Sequence, residues 1–337
     1  MQRLSRRLLL AAIAACVLLT APRDTRALDF YAGKTLTIIC GYPPGGGVDA
    51  SARLIARHLP RFIPGNPGVV VQNMPGAGGL LAANHLYAKA ERSGLILGLP
   101  GRDWALTPTL QQPGGLFDAV KFSYIGSTGP SNNFGWVRAD LSYKTLAEWK
   151  TGQRKVVIGA LTPNTVTASV PNLMAAEAFP IQVVTGYRGT IQILQAIEQG
   201  EVHGIVTNLA TFARRPDLVD KTVIRLFQTL PEVKDLPLLD EAISPERRPL
   251  LRLLNASSAV GMPFVAPPEV PAERLSVLRR AFMAMARDGN FIVEAIAIGE
   301  PTDTPLDGER VHALYADIIG GATPTAIMSY KELTGQR

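Results

Sequence analysis

The sequence predicts an α/β fold with parallel strands, arranged as two lobes with a ligand cleft between them. Three observations predict it. Two strand–loop–helix units stand in tandem near the start of the chain. The same alternation continues through the middle of the sequence, as a parallel sheet with crossover helices requires. Two linker-like points, near 129–133 and near 255–258, divide the chain, and a long helix follows the second.

The first unit begins with the apolar run Thr35-Leu36-Thr37-Ile38-Ile39-Cys40. A turn of Pro43, Pro44, Gly45, Gly46 and Gly47 follows, then an amphipathic helix over 48–59. The second begins with Val69-Val70-Val71, passes through Pro75, Gly76, Ala77, Gly78 and Gly79, and continues as a helix over 80–88. Both loops fall at the carboxyl edge of a parallel sheet. A helix start offers unpaired N–H groups and a partial positive charge, so it attracts anions. Two such starts facing one crevice are expected to hold a small carboxylate or phosphate. Gly46 is expected at the closest approach, in a turn that needs a positive φ. Asp49 is expected to cap the first helix, accepting an N–H from about Ala52.

Further strands are expected over 94–99, 124–129, 133–138, 155–159, 181–185, 200–208 and 222–227. A helix starts at Thr145. Another spans 166–177, interrupted by Pro171. Ile193, Leu194 and Ile197 share one face of a helix over 191–199. The long helix covers 272–287. Residues 28–130 and 257–337 are assigned to the first lobe and 131–256 to the second. Two crossings between the lobes make a hinge.

The first 27 residues read as a secretory signal, with Arg3, Arg6 and Arg7 before an apolar stretch and a cleavage site at Ala27. The run around Arg6-Arg7 loosely resembles a twin-arginine signal, and Cys16 matches a lipoprotein box, although apolar residues follow it. The formal net charge is +6. The signal holds five Arg and one Asp, so the remainder carries 29 basic and 27 acidic side chains, a net of +2. No basic surface for nucleic acid is expected. One cysteine, Cys40, remains beyond the signal, so no internal disulfide is possible. No apolar stretch outside the signal reaches the length of a membrane span.

Gly45, Gly47 and Ala50 formally match a dinucleotide fingerprint, but no acidic residue follows at the ribose-binding distance. His58, His85, His203 and His312 are scattered without metal-ligand spacing, and no nucleophile stands in a catalytic motif. The expectation is therefore no enzyme, no cofactor and no metal. Arg102 and Asp103 follow the strand at 94–99, and Arg188 lies between Tyr187 and Gly189 after the strand at 181–185. A guanidinium in such a loop can grip a carboxylate, and Arg188 is expected to meet the second carboxylate of a diacid. Trp104 is a candidate wall of the pocket.

The motifs Tyr42-Pro-Pro-Gly-Gly-Gly-Val-Asp49, Asn73-Met-Pro-Gly-Ala-Gly-Gly79, Gly186-Tyr-Arg-Gly-Thr190 and Phe264-Val-Ala-Pro267 resemble those of the substrate-binding proteins of tripartite tricarboxylate transporters. The resemblance covers nearly all of the chain beyond the signal. It implies a periplasmic-binding-protein fold of type II, a Venus flytrap, holding an organic acid between its lobes without a cofactor. It implies membrane transporter subunits as partners; a monomer is expected. The matching ligand loops hold Pro44 to Asp49, Gly76 to Gly79, Thr162, Asn164 and Thr165, Tyr187 to Gly189, and Thr207 with Asn208. The chain departs from the family at Met74, at 161–165, where a glycine-rich stretch is replaced, and at Thr207, where Asp is frequent. The family's usual ligands are therefore not carried over. The function expected is capture of a small organic anion for uptake, with a signalling receptor as the alternative.

Overall fold

The structure, a computed structural model, describes residues 30–163, 165–213 and 215–334. The expected signal over 1–27, with Cys16 and the cleavage at Ala27, lies outside the described residues, as does Asn164.

Leu36, Ile38, Ile39 and Cys40 of β1 (Thr35–Cys40) are all buried. A strand apolar on both faces belongs inside a covered sheet. α1 (Gly47–His58) buries Ala52, Leu54, Ile55 and His58. β2 (Gly68–Asn73) pairs parallel with β1. α2 (Leu80–Ala88) buries Leu80, Ala82, Ala83 and Leu86. β3 (Ile96–Leu99) pairs parallel with the other side of β1, and β4 (Ser123–Ser127) ends this first passage.

The chain then crosses to a second sheet. Its elements are β5 (Phe134–Arg138), α3 (Leu146–Thr151), β6 (Val156–Gly159), α4 (Val166–Ala176), β7 (Ile181–Val184), α5 (Thr190–Gln199), β8 (Gly204–Thr207), α6 (Ala210–Ala213), β9 (Val223–Gln228) and α7 (Arg248–Val260). α5 starts after Gly189 and stops at Gly200, whose φ of 77° is the usual left-handed helix stop. The returning chain inserts β10 (Phe264–Ala266) antiparallel between β3 and β4. It continues through α8 (Ala272–Ala286), α9 (Gly289–Ala297), β11 (Leu306–Asp307), α10 (Gly308–Gly320) and α11 (Pro324–Thr334). The strand orders are β11-β4-β10-β3-β1-β2 and β7-β6-β8-β5-β9. Phe282 of α8 stacks on Phe264 with ring centroids 5.7 Å apart, joining the return segment to the first sheet. α11 packs instead against α4 and α7, beside the second sheet.

Three sequence expectations change. The supposed linker at 255–258 lies inside α7, and Asn255, Ser257 and Ser258 are buried. Small polar residues here mark close packing. The Ser131 N–H donates to the Ser258 carbonyl at 2.8 Å, and Asn133 Nδ2 donates to Ser258 Oγ at 2.7 Å. The two crossings thus run in contact. Second, α4 continues through Pro171, which removes one backbone donor without ending the helix. Third, Gly46 has a φ of −79°, and the positive φ of the first loop belongs to Gly45, at 89°.

Gly261, at the end of α7, has a φ of 74°, and a Cβ there would lie 1.9 Å from the Gly129 carbonyl oxygen. Gly261→Ala should therefore destabilise the protein by at least about 2 kcal/mol in urea unfolding. Gly289→Ala, where a Cβ meets nothing within 4 Å, serves as the control. Equal midpoints for the two variants would show that the crossings do not depend on this contact.

Candidate functional site

A cavity of about 380 Å³ lies at the carboxyl ends of β1, β3, β6, β7 and β8, between the two sheets. The starts of three helices of eight or more residues reach it. Gly46, Gly47 and Val48 belong to the start of α1, Thr165 and Val166 to that of α4, and Gly189 and Thr190 to that of α5. The loops before α1 and α5 meet across the cleft: a Cβ on Gly189 would sit 3.5 Å from Pro43 Cγ.

Asp49 does not cap α1, because the capping position is Gly46. The carboxylate lies in the first turn and reaches back to accept the Gly45 N–H at 2.9 Å. Its other partners are Arg53 Nε at 3.0 Å and Asn73 Nδ2 at 2.8 Å. Burial pushes its pKa up, but these donors outweigh burial and hold it below the usual carboxylate value. Asp49 thus fixes the glycine loop from beneath, and Asn73 ties that loop to β2 by donating to the Tyr42 carbonyl at 2.9 Å.

Arg102 and Asp103 line the cavity but already have partners in the protein. Arg102 donates to the Ser131 carbonyl at 3.0 Å and to Asn133 Oδ1 at 2.8 Å. Asp103 accepts the Val166 N–H at 3.0 Å and the Ser257 hydroxyl at 2.7 Å. The start of α4 therefore holds a carboxylate supplied by the chain itself. Trp104 does not wall the cavity. It is fully buried, with its ring centroid 4.8 Å from that of Phe122 and 5.2 Å from that of Phe117. The pattern of the Pro100–Trp104 loop gave no sign that its last residue turns inward.

Pro44, Thr165, Arg188, Thr207 and Asn208 also line this cavity. Thr207 pairs with Thr211 at 2.8 Å, Thr165 with Thr167 at 2.7 Å, and Asn208 donates to Ser131 Oγ at 3.0 Å. Sequence reasoning missed Thr167, Gln192, Thr211 and Met262, which stand on helices or on the return segment without a motif of their own.

The second glycine loop opens elsewhere. Gly76, Ala77 and Gly78 line an adjoining cavity of about 430 Å³ with Thr162, Tyr187 and Arg188. Tyr42, Pro43, Leu161 and Arg188 line both cavities. Gly79 is buried, and a Cβ on it would collide with the Pro100 carbonyl. The start of α2 thus does not share the first cavity with α1, contrary to the expectation of two first-sheet starts in one crevice.

No protein-family model matches the chain. It is 34% identical over 204 residues to a UPF0065 protein in the gbd 5′ region of Cupriavidus necator, which is 58% of this chain and 59% of that one. The chain matches at most 59% of the length of the first such curated relatives. Among solved structures, the periplasmic binding protein BugD superposes with a TM-score of 0.69 at 18% identity, over 90% of this chain and 99% of that one. MatC from Rhodopseudomonas palustris, solved with bound malate, superposes with a TM-score of 0.68 at 19% identity, over 89% and 98%. The chain resembles the tripartite tricarboxylate-type solute receptors. Its fold is the two-lobed periplasmic-binding-protein fold with a cleft between the lobes.

One buried acid in this receptor fold escaped the sequence reading. Glu300 accepts the hydroxyls of Ser51 at 2.5 Å and Thr128 at 2.7 Å, tying α1 to the first crossing. The preceding Gly299 packs on α6, where a Cβ would lie 2.7 Å from Ala210 Cα. Burial pushes the Glu300 pKa above its ordinary value of 4.5, against the pull of the two hydroxyls and Arg102. An acid with a raised pKa favours the folded state most when protonated. That contribution is complete below pH 4.5 and is lost as pH rises through the raised value. Urea unfolding from pH 4 to 8 should show this decline, and Glu300→Gln should flatten it. Identical pH slopes for the two proteins would remove Glu300 as the source.

Proposed function

We propose that the protein is an exported periplasmic receptor that captures a small organic acid between its lobes and delivers it to the membrane subunits of a tripartite transporter. The observation that carries this reading is the pair of helix starts, α1 and α5, that approach the cavity from different sheets. Each presents first-turn N–H groups. Arg188, next to the start of α5, lines the cavity with an exposed side chain that could reach an anion. A carboxylate held there touches both lobes, so it favours the closed arrangement through contacts the open one lacks. Capture of this kind needs no covalent step and no cofactor. The malate of MatC belongs to the same ligand chemistry.

In this reading the two sheets carry the closing lobes, with α11 of the return segment packed beside the second, and the protein works as a monomer. The ligand contacts come from Pro44, Gly46 and Gly47, from Arg188 and Gly189, and from Thr165, Thr207 and Asn208. Asp49 and Asp103 set the geometry of loops. The segment over 1–27 directs export.

A thermal-shift screen tests the reading. A carboxylate at about 100 times its Kd should stabilise the protein by ~2.7 kcal/mol. If neutral compounds raise the melting temperature and no organic anion does, the reading fails. Arg188→Ala should weaken the best-bound acid at least tenfold, about 1.4 kcal/mol. Arg188→Lys should recover only part, because an ammonium lacks the planar fork. Small-angle scattering should show less ligand-induced compaction in the alanine variant. Wild-type affinity and compaction would place Arg188 outside the site.

A further inference from the structure

We infer that the cavity takes an acid with a single carboxylate and an apolar body, aromatic or branched, in preference to a compact diacid or hydroxyacid. The inference rests on the reading of the cavity as an organic-anion site and names the ligand class within it.

Charge comes first. Among the described residues lining the two adjoining cavities, the charged side chains are Arg102, Asp103 and Arg188. The Arg102 guanidinium is held by Ser131 and Asn133, and the Asp103 carboxylate by Val166 and Ser257. Arg188 remains as the cation with no hydrogen-bonded or ionic partner on its guanidinium. It is also consecutive with Gly189 and Thr190, so the guanidinium and the start of α5 serve one anion position. The start of α1 meets that position through Pro43. Among the described lining residues a second carboxylate would find no second cation without hydrogen-bond partners of its own. It would lie beside Asp103, and like charges repel.

Hydrogen bonding comes next. The hydroxyls of Thr165 and Thr167 bond each other, those of Thr207 and Thr211 do the same, and Asn208 is engaged by Ser131. These side chains are already satisfied by one another, whereas the polar Thr190 and Gln192 stand at the start of α5, beside the anion position. A ligand hydroxyl buried among the paired groups would have to break an existing pair or go unbonded, and either costs affinity. Away from the start of α5 much of the wall is apolar, with Val48, Leu161, Val166, Ala210 and Met262, and Ile191 adds to it from α5. These residues come from α1, α4, α5, α6, the loop after β6 and the return segment, so both sheets contribute. A ring or branched chain fills such a space and gains from every apolar contact.

Isothermal calorimetry with benzoate, phenylacetate, malate, adipate and benzamide tests the inference. Benzoate or phenylacetate should bind at least tenfold more tightly than malate or adipate, and benzamide at least tenfold more weakly than benzoate. Val48→Asn should lower the affinity for benzoate relative to malate more than fivefold. Should that variant fail to fold, Ile191→Asn at the exposed start of α5 repeats the test. Malate or adipate binding as tightly as both aromatic acids would overturn the ligand class while leaving anion capture standing. Benzamide binding as tightly as benzoate would overturn capture of a carboxylate as well. A panel in which no compound binds, or an unchanged benzoate-to-malate ratio in the asparagine variants, would also overturn the inference.

Discussion

The cleft depends on the contact between the two chain crossings. Ser131 and Asn133 on the outgoing crossing bond Ser258 on the returning helix, and Gly261 approaches the Gly129 carbonyl too closely for a side chain of its own. Ser127 adds a hydrogen bond to the Val260 carbonyl at 2.6 Å. The outgoing and returning chain thus form one shared segment between the sheets. Loops at the strand ends on either side of that segment then face each other. The insertion of β10 between β3 and β4 anchors the return deep in the first sheet.

Around this hinge the chain uses its own carboxylates where an outside anion could otherwise sit. Asp103 occupies the start of α4, Asp49 supports the loop before α1, and Glu300 joins α1 to the first crossing. Each satisfies N–H or hydroxyl donors that burial would leave without water. The result is selective: the starts of α1 and α5 stay open to the cavity while that of α4 is closed. Arg102 follows the same logic. A loop arginine that could grip a ligand instead holds the hinge, because Ser131 and Asn133 present two acceptors within its reach.

Much of the site was legible in local pattern, since glycine-rich loops after apolar strands announce helix starts at a sheet edge. Thr207 and Asn208 were legible as a strand end. The misreadings share a cause. Asn255-Ala-Ser-Ser258 looks like a linker because small polar residues often are one, and only the neighbouring crossing shows that their smallness permits contact. Trp104 looked available because its loop lies at a carboxyl edge, yet its ring enters a cluster with Phe117 and Phe122 from the following stretch of chain. Glu300 carried no motif at all, and its partners are 249 and 172 residues away in sequence.

The sequence by itself determined the α/β alternation, the two glycine loops and the tandem parallel strands. Apolar periodicity, glycine conformational freedom and helix-start chemistry are local properties of the chain. Only the tertiary structure decided which helix starts share a cavity. α1 meets α5 from the other sheet, and α2 turns to an adjoining cavity, because strand order and the hinge set those distances. The tertiary structure also decided which charged groups remain available, since Arg102 and Asp103 are hydrogen-bonded by neutral partners that the chain brings near only on folding.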